Sequence, residues 1–169
     1  MASVLFLSYD GFMEPIGQSQ ILQYLERLSK DHRITLVSFE KAGDLDVRER
    51  VREFQAKAAG AGIRWVALRY HKRPAVLSTA YDLWIGSIVC AYLVLRERIQ
   101  IVHARSYPPA VVALVLKRLL GTRFVFDMRG FWADQRADCG AWPRGTIFRI
   151  AKWFEKRFLH SADSVISET

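Results

Sequence analysis

The 169-residue chain carries 25 Lys and Arg against 17 Asp and Glu, a net charge of 25 − 17 = +8, and 51% of it is hydrophobic. That length supports one domain with a proper core but not two large ones, and 25% charged residues beside so much apolar content exclude a disordered chain. Two cysteines far apart, Cys90 and Cys139, supply neither a disulfide framework nor metal-type spacing, and a reducing cytoplasm is the plain compartment; no metal or cofactor is expected.

Short apolar runs alternate with longer amphipathic ones. Residues 4–8 read as a first strand, followed by a helix over 19–30 with Ile21, Leu22, Leu25 and Leu28 at helical spacing. There is no basic region before the first apolar run, and Asp10 cuts it short, unlike a signal peptide. A second strand is predicted over 33–39, a charged helix over 44–59 stopped by Gly60 and Gly62, and a third strand over 63–68. Residues 75–95 are apolar and about as long as a bilayer-spanning helix. An unpaired Asp inside a span is costly, and Asp82 lies near the middle, so a buried core helix is expected, with Tyr81 and Trp84 packed inside.

A fourth strand follows over 99–104, then a helix over 108–120 with prolines at its start and Gly121 past its end. The fifth strand is 123–128. A loop over 130–145 precedes a basic helix over 144–160, and 163–167 makes a sixth strand. Strands alternating with helices predict one α/β domain over 1–169, a Rossmann-like doubly wound parallel sheet of about six strands in three layers. A terminal parallel strand is usually covered by a further helix, so a longer parent protein is expected.

Right-handed crossovers bring the strand-to-helix loops to one edge, where open α/β sheets bind ligands. Three such loops carry chemistry. The first runs from Asp10 to Gly17 and Gln18; amide groups at the helix start form an anion site, with Gln18 or Ser19 as cap. Neither dinucleotide nor P-loop glycine pattern is present. The second offers His103, Arg105 and Ser106, of which His103 and Arg105 share one strand face. A histidine there can accept a proton or bind a hydroxyl, or be satisfied by a neighbouring carbonyl. The third holds Arg129, a fork for phosphate or carboxylate; Gly130, open to close approach; Trp132 for stacking; and Asp134 for hydroxyls or as a base. The plainer alternative is an Arg129–Asp134 pair with packed aromatics.

A first strand leading to a glycine at a helix start, then IVHARS, FVFDMRGFWAD and SADSVISET, resembles in order the N-terminal half of GT-B glycosyltransferases of group 1, family 4. The resemblance implies an acceptor-side domain, whose partner domain, outside this chain, binds the nucleotide-sugar donor. It also implies that Gly17 and Gln18 reach toward the donor phosphate, and that a retaining transferase is inactive with this half alone. His103 stands where that family often has His-Ala-His, and Arg129-Gly130 where it often has His-Gly. Gln18 replaces a second glycine, and no Glu-x7-Glu pair occurs.

Two basic clusters remain: Arg64, Arg69, Lys72 and Arg73, and the helix over 144–160. In the latter Ile147, Ile150, Phe154 and Phe158 are expected on one apolar face, with Arg149, Trp153, Lys156 and Arg157 on another. A tryptophan among cations suits an anionic membrane surface, or else is a solvated face. No nucleic-acid recognition motif accompanies them, so nucleic acid is not the expected partner. The function expected is half of a transferase moving a sugar from a nucleotide-sugar to a hydroxyl acceptor, polysaccharide or lipid-linked, near the cytoplasmic membrane face. The alternative is a non-catalytic module that grips an anionic ligand or membrane.

Overall fold

In the computed structural model, which describes residues 1–140 and 145–167, the β-branched and aromatic runs become the strands of one sheet. They are β1 (Ser3–Ser8), β2 (Arg33–Lys41), β3 (Ile63–Tyr70), β4 (Ile101–Arg105), β5 (Arg123–Met128) and β6 (Ser164–Ser167). All neighbours pair in parallel, in the order β3-β2-β1-β4-β5-β6.

Strand side chains alternate, so each strand feeds two cores. Leu5, Leu7, Val102, Ala104, Phe124 and Phe126 face one side. It is covered by α4 (Ala75–Glu97), α5 (Tyr107–Leu120) and α7 (Thr146–Ser161). Val4, Phe6, Ile34 and Leu36 face the other, where Ile21 and Leu25 pack with Phe54 and Ala58. That second layer is α1 (Gln23–Leu28) and α3 (Arg48–Gly60), which with the sheet completes the three layers predicted. On the first side Phe158 is fully buried, its ring 5.5 Å from Phe126 and 6.4 Å from Phe124. Burial of one such ring stabilises by roughly 1.5–3 kcal/mol, which seats α7 on the sheet.

Several boundaries differ from the sequence expectation. β2 and β3 each run two residues further, through Glu40↔Arg69 and Lys41↔Tyr70, because ladder pairing tolerates charges that read as loop. The helix expected over 44–59 is two: α2 (Ala42–Leu45) and α3, separated by an extended Val47. The loop over 130–145 contains a short helix, α6 (Trp132–Asp138), while Arg144, the expected start of α7, lies outside the described residues.

Two helices face differently from prediction. α4 is not a buried core helix all round: Cys90, Leu93 and Val94 pack inward, whereas Tyr81 and Trp84 are exposed. A single layer of helices on a sheet covers one side of each helix only, and an apolar sequence cannot reveal which side is left bare. On α7, Phe158 is buried but Ile147 and Ile150 are exposed, and the buried face includes Glu155. The expected stripe holds for Phe154 and Phe158, which pack on the core, and fails for Ile147 and Ile150.

Candidate functional site

β1 and β4 are neighbours, yet the chain leaves β1 toward α1 on one face and leaves β4 toward α5 on the other. That divergence opens a crevice at the carboxyl ends of the strands. The three loops predicted from sequence border it.

The loop after β1 is built on a buried carboxylate. Glu40, at the end of β2, has no exposure. Its Oε1 accepts the Phe12 amide at 2.6 Å and the Ser38 hydroxyl at 2.5 Å, and its Oε2 accepts the Met13 amide at 3.2 Å. Burial pushes the Glu40 carboxyl above its usual range, and those three hydrogen bonds pull against that rise. Gly11 packs on the same carboxylate: a β-carbon there would stand 2.8 Å from Oε2.

The helical turn then begins at Gly17, earlier than expected, and Gly17–Leu22 is wound as a π-helix that runs directly into α1. Such segments are rare and frequent at functional sites. A β-carbon on Gly17 would lie 2.4 Å from the Gly11 carbonyl oxygen and 2.6 Å from that of Phe12, so the helix start can close onto the loop only with glycine. Ser19 does not cap this helix; its hydroxyl donates back to the Pro15 carbonyl at 2.9 Å. Gln18 is half-buried and its amide donates to the Glu14 carbonyl.

One turn past Gly17 is Gln20, which the sequence reading did not single out. Its Oε1 accepts Nη2 of Arg105 at 2.5 Å and Nη2 of Arg129 at 2.8 Å. Two guanidinium groups, one at the end of β4 and one just past β5, thus meet at one amide oxygen, Arg105 buried and Arg129 half-buried. His103 lies one pleat below Arg105 on the same face, 4% exposed between Phe6 and Tyr24. Its Nε2 is 3.7 Å from Asp127 Oδ2, beyond hydrogen-bond reach, and is a buried atom with no hydrogen-bond partner. Neither a neighbouring carbonyl nor bulk solvent satisfies it. Asp10 is exposed at the rim, and Ser106 adopts φ 75° with its amide donating to the Asp127 carbonyl at 2.9 Å.

The third loop divides. Arg129 turns to Gln20, but Trp132 faces α5 and Asp134 faces α7. Trp132 stacks on Tyr107 with ring centroids 5.7 Å apart, and Asp134 Oδ2 accepts Lys152 Nζ at 2.8 Å. Lys152 also pairs with Glu155 and lies 5.2 Å over the Phe131 ring. The Tyr107 hydroxyl is 2.7 Å from Glu155 Oε2 and 3.0 Å from the Gly130 carbonyl, and with one proton it donates to one of them at a time. Burial, and then the Glu155 carboxylate, raise the Tyr107 phenol. Gly130 has φ 122°, a conformation that favours glycine. Asp134 therefore joins a network that straps the loop to α7, and its partner is Lys152 rather than Arg129.

The structure gathers Gly17, Gln18, Arg105 and Arg129 at one crevice, with His103 beneath. Arg149, Trp153, Lys156 and Arg157 are exposed on α7, across the sheet from Gln20. Among the described residues no three His, Cys, Asp or Glu side chains converge as metal ligands. Besides Gln20, sequence reasoning missed Glu40, Tyr107, Lys152 and Glu155. Strand parity could have found Glu40, which shares the inward face of β2 with Leu36 and Ser38.

Comparison with known proteins adds the following. Residues 17–169 match the glycosyl transferase 4-like domain family. No curated protein sequence matches the chain. A sucrose-phosphate synthase from Thermosynechococcus elongatus superposes with a TM-score of 0.70 at 12% identity, over 98% of this chain and 42% of that one. A UGT transferase from Siraitia grosvenorii, solved in complex with UDP, gives 0.62 at 11% identity, over 100% and 45%. MurG from Acinetobacter baumannii gives 0.57 at 8%, over 100% and 42%. The chain spans less than half the length of these proteins, and at identities this low the likeness shows a shared fold alone.

Proposed function

The chain belongs to the glycosyl transferase 4-like domain family and has the fold of a GT-B N-terminal domain. On that premise we propose that it is the acceptor-side wall of a cleft in which a sugar passes from a nucleotide-sugar donor to a hydroxyl acceptor. One observation carries the proposal: Arg105 and Arg129 converge on Gln20, one helical turn beyond Gly17, at the switch point between β1 and β4.

Sugar transfer leaves negative charge on the departing phosphate. Guanidinium groups already aimed at that position stabilise it without reorganising during the reaction. Gln20 holds both forks in place by a neutral oxygen, so an incoming phosphate oxygen offers the same acceptor geometry with a charge added. In this proposal Arg129 and Arg105 take the phosphate side, and Gly17 and Gln18 lie beside it. Asp10 and Ser106 border the opening for acceptor hydroxyls, and His103 with Tyr24 forms the floor. Asp134 and Trp132 hold the Gly130 loop in position through Lys152 and Tyr107. A donor nucleotide needs a second wall, so this half alone binds without turnover. The acceptor is a polysaccharide or lipid-linked precursor, in a reducing cytoplasmic setting that suits two thiols left unpaired.

The test is sugar transfer by the full-length protein, wild type against Arg129→Ala. Loss of kcat by about 100-fold with an unchanged unfolding temperature is expected for a removed charge stabiliser. Unchanged turnover removes Arg129 from the mechanism.

A further inference from the structure

α4 is twenty-three residues long and packs one side on the sheet through Cys90, Leu93 and Val94. Its opposite side carries Leu77, Tyr81, Trp84, Ile88, Tyr92 and Leu95, each between 49% and 70% exposed. Their spacing of four, three, four, four and three residues is that of one helical stripe. At 1.5 Å per residue the stripe runs for roughly 27 Å. An apolar patch of that extent on a soluble surface marks an interaction site.

Charge identifies the occupant. The acidic residue within the stripe's length, Asp82, is turned inward at 1% exposure. There its Oδ2 accepts the Tyr9 hydroxyl at 3.2 Å and the His71 amide at 3.0 Å, and its Oδ1 is 2.6 Å from His71 Nδ1. Glu97 is likewise turned away, to Thr35 and Arg64. What flanks the stripe outside is cationic: exposed Lys72 and Arg73 before its amino end, exposed Arg96 and Arg98 at the other. A long apolar face with aromatic rings and cations at both ends is the pattern of a helix lying in an anionic lipid surface. α4 is also long and apolar enough to cross a bilayer, over Val76–Glu97. Its inner side is committed to the protein core, however, so it can lie on a membrane but not traverse one.

We propose that the domain docks on an anionic bilayer through this stripe, with α4 parallel to the membrane plane. α7 belongs to the same helical layer, which puts the cations Arg149, Lys156 and Arg157 on the docking side of the sheet. The amino end of α4 follows β3, so Tyr81 and Trp84 lie at the carboxyl edge that carries the crevice, with Tyr81 5.3 Å from the His71 ring. This deepens the transferase reading and rests on it in one respect only: a docked crevice faces an acceptor held in the lipid surface.

The test is co-sedimentation of the protein with phosphatidylcholine vesicles, with and without phosphatidylglycerol, and requires no catalytic activity. Wild type is expected to pellet with the anionic vesicles at low salt. The triple variant Leu77→Gln, Trp84→Gln, Ile88→Gln should bind at least about 10-fold more weakly, with unchanged circular dichroism and unfolding temperature. Lys72→Gln with Arg73→Gln should weaken binding and reduce its salt dependence. Vesicle binding by the triple variant equal to wild type overturns the proposal. So does a wild-type dimer in sedimentation that the triple variant abolishes, since a second copy then covers the stripe. Loss of binding only when Arg149, Lys156 and Arg157 are changed to Gln places docking on α7 and overturns it equally. Vesicle binding by a protein that transfers no sugar refutes the transferase and leaves the docking intact.

Discussion

The carboxylate of Glu40, at the end of one strand, accepts the backbone amide of Phe12, in the loop that follows the neighbouring strand, at 2.6 Å in a fully buried site. Through it β2 dictates the shape of the segment that delivers Gly17 and Gln20 to the crevice. Removing the acceptor strands two buried amides, at about 1–3 kcal/mol each.

Glu40 accordingly has a defined pH signature. Its folded-state carboxyl is raised, mainly by burial, so its contribution to stability is complete below the unfolded value and is lost as pH rises through the folded one. The stability advantage of wild type over Glu40→Gln should be largest in acid and shrink as pH rises, measured by urea unfolding across that window. An advantage that grows with pH would show that the amide bonds outweigh desolvation.

Gly17→Ala places a methyl 2.4 Å from the Gly11 carbonyl oxygen, so the loop or the helix must move. A loss of about 1–3 kcal/mol is expected. Gly60→Ala is the control: it lies in α3 with no atom within 4 Å of the added carbon, and should stabilise by roughly 0.5–1 kcal/mol. Equal effects at both positions would mean that Gly17 is not a point of close contact.

Asp134 and Lys152 test the strap on the third loop. Asp134→Asn breaks a partly exposed pair and should cost no more than about 1 kcal/mol. Lys152→Met also leaves Glu155 buried without its cation, and should cost about 3 kcal/mol or more. Thermal unfolding of the two variants decides, and the reverse ranking dismantles the network as described.

The thiols report on the packing of α4. Cys90 is fully buried and its thiol is pushed up to about 12 by that burial, whereas Cys139 is exposed. One thiol should react quickly with a disulfide reagent in the native protein, the second only after denaturation. Rapid reaction of both would detach the inner side of α4 from the sheet.

Much of the architecture was legible in the residues. Runs such as Val4 to Leu7 and Phe124 to Phe126 alternate at a period of two with helical stretches between them, and local periodicity of that kind determined the α/β class and the loops at one edge, where Gly17, Arg105 and Arg129 lie. Those properties depend on neighbours in sequence. The tertiary structure alone decided the rest, because it depends on what lies across the sheet. The pairing of β1 with β4 brings Arg105 and Arg129 to Gln20, 85 and 109 residues away, and leaves His103 buried beneath them. The single covering layer of helices likewise decided which side of α4 meets the core and which apolar stripe stays outside. A sequence states how hydrophobic a helix is; only packing states which of its faces has already been used.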